Sequence, residues 1–153
     1  CGGGANIKTL LKLCPNGKVQ GIDYSAVSVE KTRKINARAI AAGRCTVQQA
    51  SVAELPFEAE QFDVVTAFET VYFWPELAQN FREVYRVLKP GGIFFICNEA
   101  NGETTKDDKW TQIIDGMTIY TDTALKAYLE QAGFCQIQSY KNKRGWLCIT
   151  AQK

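Results

Sequence analysis

Short apolar runs alternate with amphipathic helical stretches along nearly all of the 153 residues, and this order constrains the fold more than any single motif. The spacing predicts helices over residues 6–13, 26–42, 75–88 and 121–132, and strands over residues 19–22, 46–49, 62–68, 93–97, 135–140 and 146–151. Ser25 can cap the second helix and Gly43 can close it. Leu77, Phe81, Val84, Tyr85 and Leu88 form one stripe on the third. Residues 89–92 read as a tight turn, and residues 98–120 lack a clear period. Strands alternating with helices pack as a mostly parallel sheet covered on both faces. The short polar connection over residues 141–145 predicts a closing antiparallel hairpin. The expectation is one α/β domain over residues 1–153.

Composition removes several function classes. There is no histidine, so zinc sites with imidazole ligands and Ser-His-Asp or Cys-His hydrolases are excluded. Six cysteines are present without a CxxC pair, and no metal site is expected. Cys97 and Cys148 sit in apolar runs, where a thiol serves as a small hydrophobe. A net charge of +2 is too small for a nucleic-acid footprint. The cluster Lys31, Arg33, Lys34, Arg38 and Arg44 reads as a solvated helix face. With no signal-peptide pattern and no apolar run of membrane-spanning length, the expected setting is cytoplasmic, away from a membrane.

In open α/β sheets, ligands gather at the carboxyl ends of the strands. The candidate residues are therefore those that follow each strand. Gly2, Gly3 and Gly4 form a turn that runs straight into the first helix, with no strand before it. Glycines there allow a backbone to pass close to a ligand. Asp23, followed by Tyr24, lies about twenty residues further on, the interval at which a carboxylate meets ribose hydroxyls in dinucleotide folds. Ser51 and Val52 follow the third strand, where an adenine edge could be met. Phe68 and Glu69 follow the fourth, with the aromatic run Tyr72-Phe73-Trp74 after them; of these three, Phe73 most resembles ordinary core packing. Glu99 follows the fifth. The nicotinamide fingerprint fails, because its third glycine would fall on Ile7.

These segments together resemble class I S-adenosylmethionine-dependent methyltransferases, in particular the small-molecule, quinone-biosynthesis type. Cys1-Gly2-Gly3-Gly4 is similar to the tail of that family's acidic-x-Gly-x-Gly-x-Gly loop. Gly21-Ile22-Asp23-Tyr24-Ser25 is similar to its ribose segment, and residues 50–57 to its Gly-Asp-Ala-x-x-Leu-Pro-Phe adenine segment. Phe62-Asp63-Val64-Val65 and residues 86–92 match its fourth strand and the turn before the fifth. Two departures stand out: the family's first strand is missing from the chain, and Ser51 replaces an aspartate.

The resemblance implies a Rossmann-like doubly wound sheet with an antiparallel C-terminal hairpin. It implies S-adenosylmethionine held by Gly2, Gly3, Gly4, Asp23, Tyr24, Ser51, Val52 and Phe68. It also implies methyl transfer to a small-molecule acceptor, with Glu69 and Tyr72 near the transferred methyl and Glu69 or Glu99 as a base. Trp110, Ile113, Ile114 and Met117 would line the acceptor side. Without a first strand, exposed strand edges predict a homo-oligomer. Two alternatives stay open: a methyltransferase for RNA or protein, and a non-catalytic or cofactor-impaired domain.

Overall fold

The computed structural model describes residues 1–104 and 107–153, which form two compact units, Cys1–Ser51 and Val52–Lys153.

The first unit contains α1 (Ala5–Leu13), β1 (Val19–Asp23), α2 (Ala26–Ile35), α3 (Ala37–Ala41) and β2 (Cys45–Gln49). β1 and β2 pair in parallel, from Val19 opposite Cys45 to Asp23 opposite Gln49. Ile7, Leu11, Val19, Val29, Cys45 and Val47 make its core. The Ser25 hydroxyl caps α2 by accepting the Ser28 N–H. The single helix expected over residues 26–42 is broken at Asn36. The Asn36 side chain donates to the Thr32 and Gly4 carbonyls, and such local bonds compete with a continuous helix.

The basic cluster is not simply a solvated face. Arg44 donates to the carbonyls of Leu11, Cys14 and Gly17 and so pins the turn between α1 and β1. Arg33 reaches the Val47 carbonyl through Nε at 2.9 Å and a terminal guanidinium nitrogen at 2.7 Å.

The second unit contains β3 (Phe62–Phe68), a 3-10 turn (Val71–Phe73), α4 (Leu77–Val87), β4 (Leu88–Asn98), α5 (Asp108–Ile113), α6 (Asp122–Gln131), β5 (Cys135–Lys141) and β6 (Leu147–Gln152). Its sheet has the order β3-β4-β6-β5. β3 and β4 are parallel, and β6 runs antiparallel to both β4 and β5, which is the predicted closing hairpin. α4 starts at Leu77 and leaves Pro75 outside, where its carbonyl accepts from the Asn80 side chain. Residues 89–92 are not a free-standing turn. They continue into β4 as an irregularity, because Lys153 pairs with Gly91 and Gly92. Phe81, Phe94 and Trp74 meet in the core, and Phe134 packs on Phe94. Residues 98–120, aperiodic in sequence, yield α5; residues 105 and 106 of that stretch lie outside the described residues. Among the described residues, no helix is long and apolar enough to cross a membrane.

Candidate functional site

In the first unit the structure brings Asp23 and the glycine turn together. Asp23 ends β1, and its Oδ2 accepts the Gly2 N–H at 2.8 Å and the Cys1 nitrogen at 3.0 Å. Its Oδ1 accepts the Ser25 N–H at 3.0 Å. Partial burial works to raise the Asp23 pKa, but the donors from Ser25, Gly2 and the Cys1 nitrogen outweigh it and hold the carboxyl below its ordinary value. A carboxylate offers about four lone-pair directions, so three bonds leave it one further acceptor position.

The turn is held from below by α2. Thr32 Oγ1 donates to the Gly2 carbonyl at 2.9 Å, and Asn36 Nδ2 donates to the Gly4 carbonyl at 3.2 Å. Both side chains are buried polar groups that sequence reasoning missed. A signal was present: Val29, Thr32 and Asn36 share one inward stripe, and two polar residues on such a stripe need partners. Gly4 has φ +81°, and a Cβ there would lie 2.9 Å from Asn36 Nδ2 and 3.0 Å from Thr32 Cα. Gly2, with φ +51°, has open space where a Cβ would be. The turn is therefore packed on its α2 side and accessible at Gly2.

Tyr24 follows Asp23 with its ring exposed, and its carbonyl accepts from Gln49 Nε2. Ser51 is exposed just beyond β2, whose end is tied to β1 by the Ala50 N–H to the Asp23 carbonyl. Val52 is half-buried in the second unit.

In the second unit, Glu69, Tyr72 and Glu99 converge at the carboxyl ends of β3 and β4. Glu69 adopts φ +52°, rare for a residue with a side chain, and its N–H donates to the Cys97 carbonyl. Glu69 Oε1 accepts the Glu99 N–H at 2.5 Å. The Tyr72 hydroxyl lies 3.3 Å from Glu69 Oε2 and 3.2 Å from the Ala100 carbonyl, and it accepts the Ala100 N–H at 3.0 Å. Its one proton serves one of those two acceptors at a time.

Desolvation raises the Glu69 pKa, and the Glu99 charge adds to the rise; the bonds from Glu99 and Tyr72 oppose it. Burial, then the charge of Glu69, pushes the Tyr72 phenol far above its ordinary range. Tyr72 is thus a fixed neutral hydroxyl that orients Glu69, and it is no base near neutral pH. Phe68, half-buried, packs edge-on against Phe95. The aromatic run divides differently from expectation. Tyr72 is 3% exposed and Trp74 stacks on Phe94, whereas Phe73, expected in the core, is 42% exposed. The tight 3-10 turn points Val71 and Tyr72 inward and leaves Phe73 outside. Of the expected acceptor lining, Trp110 and Ile113 are exposed, while Ile114 and Met117 are half-buried.

A family profile described as a methyltransferase domain matches residues 1–96. The chain belongs to this methyltransferase family. It is 35% identical over 102 residues to the demethylmenaquinone methyltransferase of Symbiobacterium thermophilum, an alignment that covers 66% of this chain and 40% of that protein. It is 29% identical over 143 residues to the cycloartenol-C-24-methyltransferase of Arabidopsis thaliana, covering 88% of this chain and 42% of the other. The chain thus spans about two fifths of the length of these relatives.

Among solved structures, a SAM-dependent methyltransferase from Aquifex aeolicus superposes with a TM-score of 0.80 at 19% identity, over 99% of this chain and 78% of that one. The Haloferax volcanii complex of the Trm112 methyltransferase activator with a methyltransferase gives 0.84 at 19% identity, over 98% and 79%. At such identities the likeness establishes the fold, and the fold is Rossmann-like α/β.

Proposed function

We infer that this methyltransferase-family chain transfers a methyl group from S-adenosylmethionine to a small-molecule acceptor, and that residues 1–153 work as one domain in doing so. The observation that carries the reading is the 2.8 Å bond between the Gly2 N–H and Asp23 Oδ2, which joins the glycine turn to the carboxylate at the end of β1. The donor set fits the nucleoside: a carboxylate with one acceptor position left stands beside a backbone that is open at Gly2.

S-adenosylmethionine supplies a methyl group already activated by its sulfonium charge. The chain's part is to bind and align. Asp23 accepts a ribose hydroxyl, and a second hydroxyl takes the place of one of the chain's own donors. Gly2, Gly3 and Gly4 let the backbone lie close to the ligand. Tyr24 and Ser51, in the same unit, supply contacts to the adenosyl group. Glu69, oriented by Tyr72 and the Glu99 amide, faces the acceptor and takes a proton where the acceptor loses one. Glu99 is the second carboxylate available for that proton.

The names of the relatives, a demethylmenaquinone methyltransferase and a cycloartenol-C-24-methyltransferase, support a quinone-like or sterol-like acceptor methylated at carbon. The low net charge supports a reading without nucleic acid. Six free thiols support a reducing cytoplasmic setting. Self-association through strand edges completes the proposal.

The test uses S-adenosylmethionine carrying a labelled methyl group with a demethylated quinone kept reduced as its quinol. Label in the extracted quinol, and none with Asp23→Ala, supports the reading. Cofactor binding with no transfer to quinol, sterol, RNA or protein would leave the non-catalytic alternative.

A further inference from the structure

Cys97 and Cys148 face each other on adjacent antiparallel strands, β4 and β6, at the same register position. Their Sγ atoms are 3.5 Å apart, and both residues are buried. The Lys153 N–H donates to the Gly92 carbonyl, which sets the hydrogen-bonded pairs of this ladder at even-numbered residues of β4. Cys97 and Cys148 therefore occupy a non-hydrogen-bonded pair, where opposed side chains come closest. Cα atoms in such pairs stand about 4.5 Å apart, inside the range a disulfide bridges. Among the described residues, Cys1, Cys14, Cys45 and Cys135 are free thiols without such a sulfur neighbour.

The pair lies next to the carboxylate cluster. The Cys97 carbonyl accepts the Glu69 N–H at 3.0 Å, and Asn98 alone separates Cys97 from Glu99. The Glu69 backbone is already in a sparsely populated conformation. Closing the sulfurs to a bond of about 2.05 Å calls for side-chain rotation or movement of the β4 end, and the Glu69–Cys97 bond is the first to feel the latter.

We propose that Cys97 and Cys148 form a redox latch, oxidised by a peroxide to a disulfide that loosens the seat of Glu69. In the first step one thiol gives up its proton and attacks a peroxide oxygen, the O–O bond breaks, and the departing hydroxide takes that proton, so that a sulfenic acid and one water result. In the second the other thiol displaces the sulfenic hydroxyl as water and the S–S bond forms. Two thiols are oxidised and one hydrogen peroxide is reduced to two waters. A dithiol reductant reverses the change. Burial of both sulfurs makes the reaction slow and confines it to local openings of the β5–β6 hairpin.

The test treats the full chain with hydrogen peroxide, maps peptides without reduction, and follows amide hydrogen exchange at Glu69. The latch predicts a Cys97–Cys148 linkage that dithiothreitol removes, with exchange at Glu69 faster by about tenfold in the linked form. Cys148→Ala, and separately Cys148→Ser, must abolish both effects. Oxidation of exposed Cys14 and Cys135 with Cys97 and Cys148 left as thiols would overturn the proposal. So would a linkage that leaves Glu69 exchange unchanged, or faster Glu69 exchange that persists in either variant.

Discussion

The Glu69 carboxylate accepts the Glu99 N–H at an N···O distance of 2.5 Å, so the end of β3 and the end of β4 are joined through a side chain that is itself titratable. Desolvation, the largest influence, raises its pKa above the ordinary glutamate value. The folded protein then holds the Glu69 proton at pH values where the unfolded chain has lost it. The resulting stability is complete below the unfolded value and fades as pH rises through the folded one. In Glu69→Gln this dependence disappears. Urea unfolding between about pH 4 and about pH 7 checks it: the stability of wild type relative to the variant falls with rising pH.

Asp23 has the opposite sign. Desolvation works to raise its pKa, but its bonds from Ser25, Gly2 and the Cys1 nitrogen outweigh that and hold it below the ordinary aspartate value. Its contribution is therefore present above the unfolded value and lost as pH falls through the folded one. Asp23→Asn is expected to unfold less steeply in acid than wild type, as measured by circular dichroism.

Thr32 holds the glycine turn through one hydroxyl bond to Gly2. Thr32→Val preserves the shape and removes the donor. Since Gly2 is exposed, water can solvate its carbonyl, and the cost should be about 1 kcal/mol in urea unfolding. Gly4→Ala is the harsher change, because it strains a left-handed backbone and drives a methyl onto Asn36 and Thr32 Cα; about 2–4 kcal/mol is expected.

Arg33 covers the Val47 carbonyl on the edge of β2 that faces away from β1. Open strand edges invite pairing with another chain. Arg33→Ala should raise the self-associated fraction seen by light scattering, while an unchanged distribution would show that this edge is not what limits association.

Much of the fold was legible because apolar period and strand length agree at β3, α4 and α6, and because the hairpin of β5 and β6 has a polar connection. The break at Asn36 was hidden, since it depends on a bond to Gly4 thirty-two residues away. The continuation of β4 through Pro90-Gly91-Gly92 was hidden for the same reason, its partner being Lys153. At the site, Asp23 was readable from its interval after the glycines, whereas Thr32 needed the tertiary pairing of α2 with the turn. The fate of Phe73 turned on the phase of a three-residue 3-10 turn, too short to leave a period in the sequence.

The most direct measurement is calorimetric titration of S-adenosylmethionine into the full chain and into Asp23→Ala. Saturable heat with one site per chain is expected, weakened by at least about tenfold in the variant through loss of charge-assisted hydrogen bonds. Equal affinity in both proteins, or no heat at millimolar cofactor with a folded chain, would contradict this.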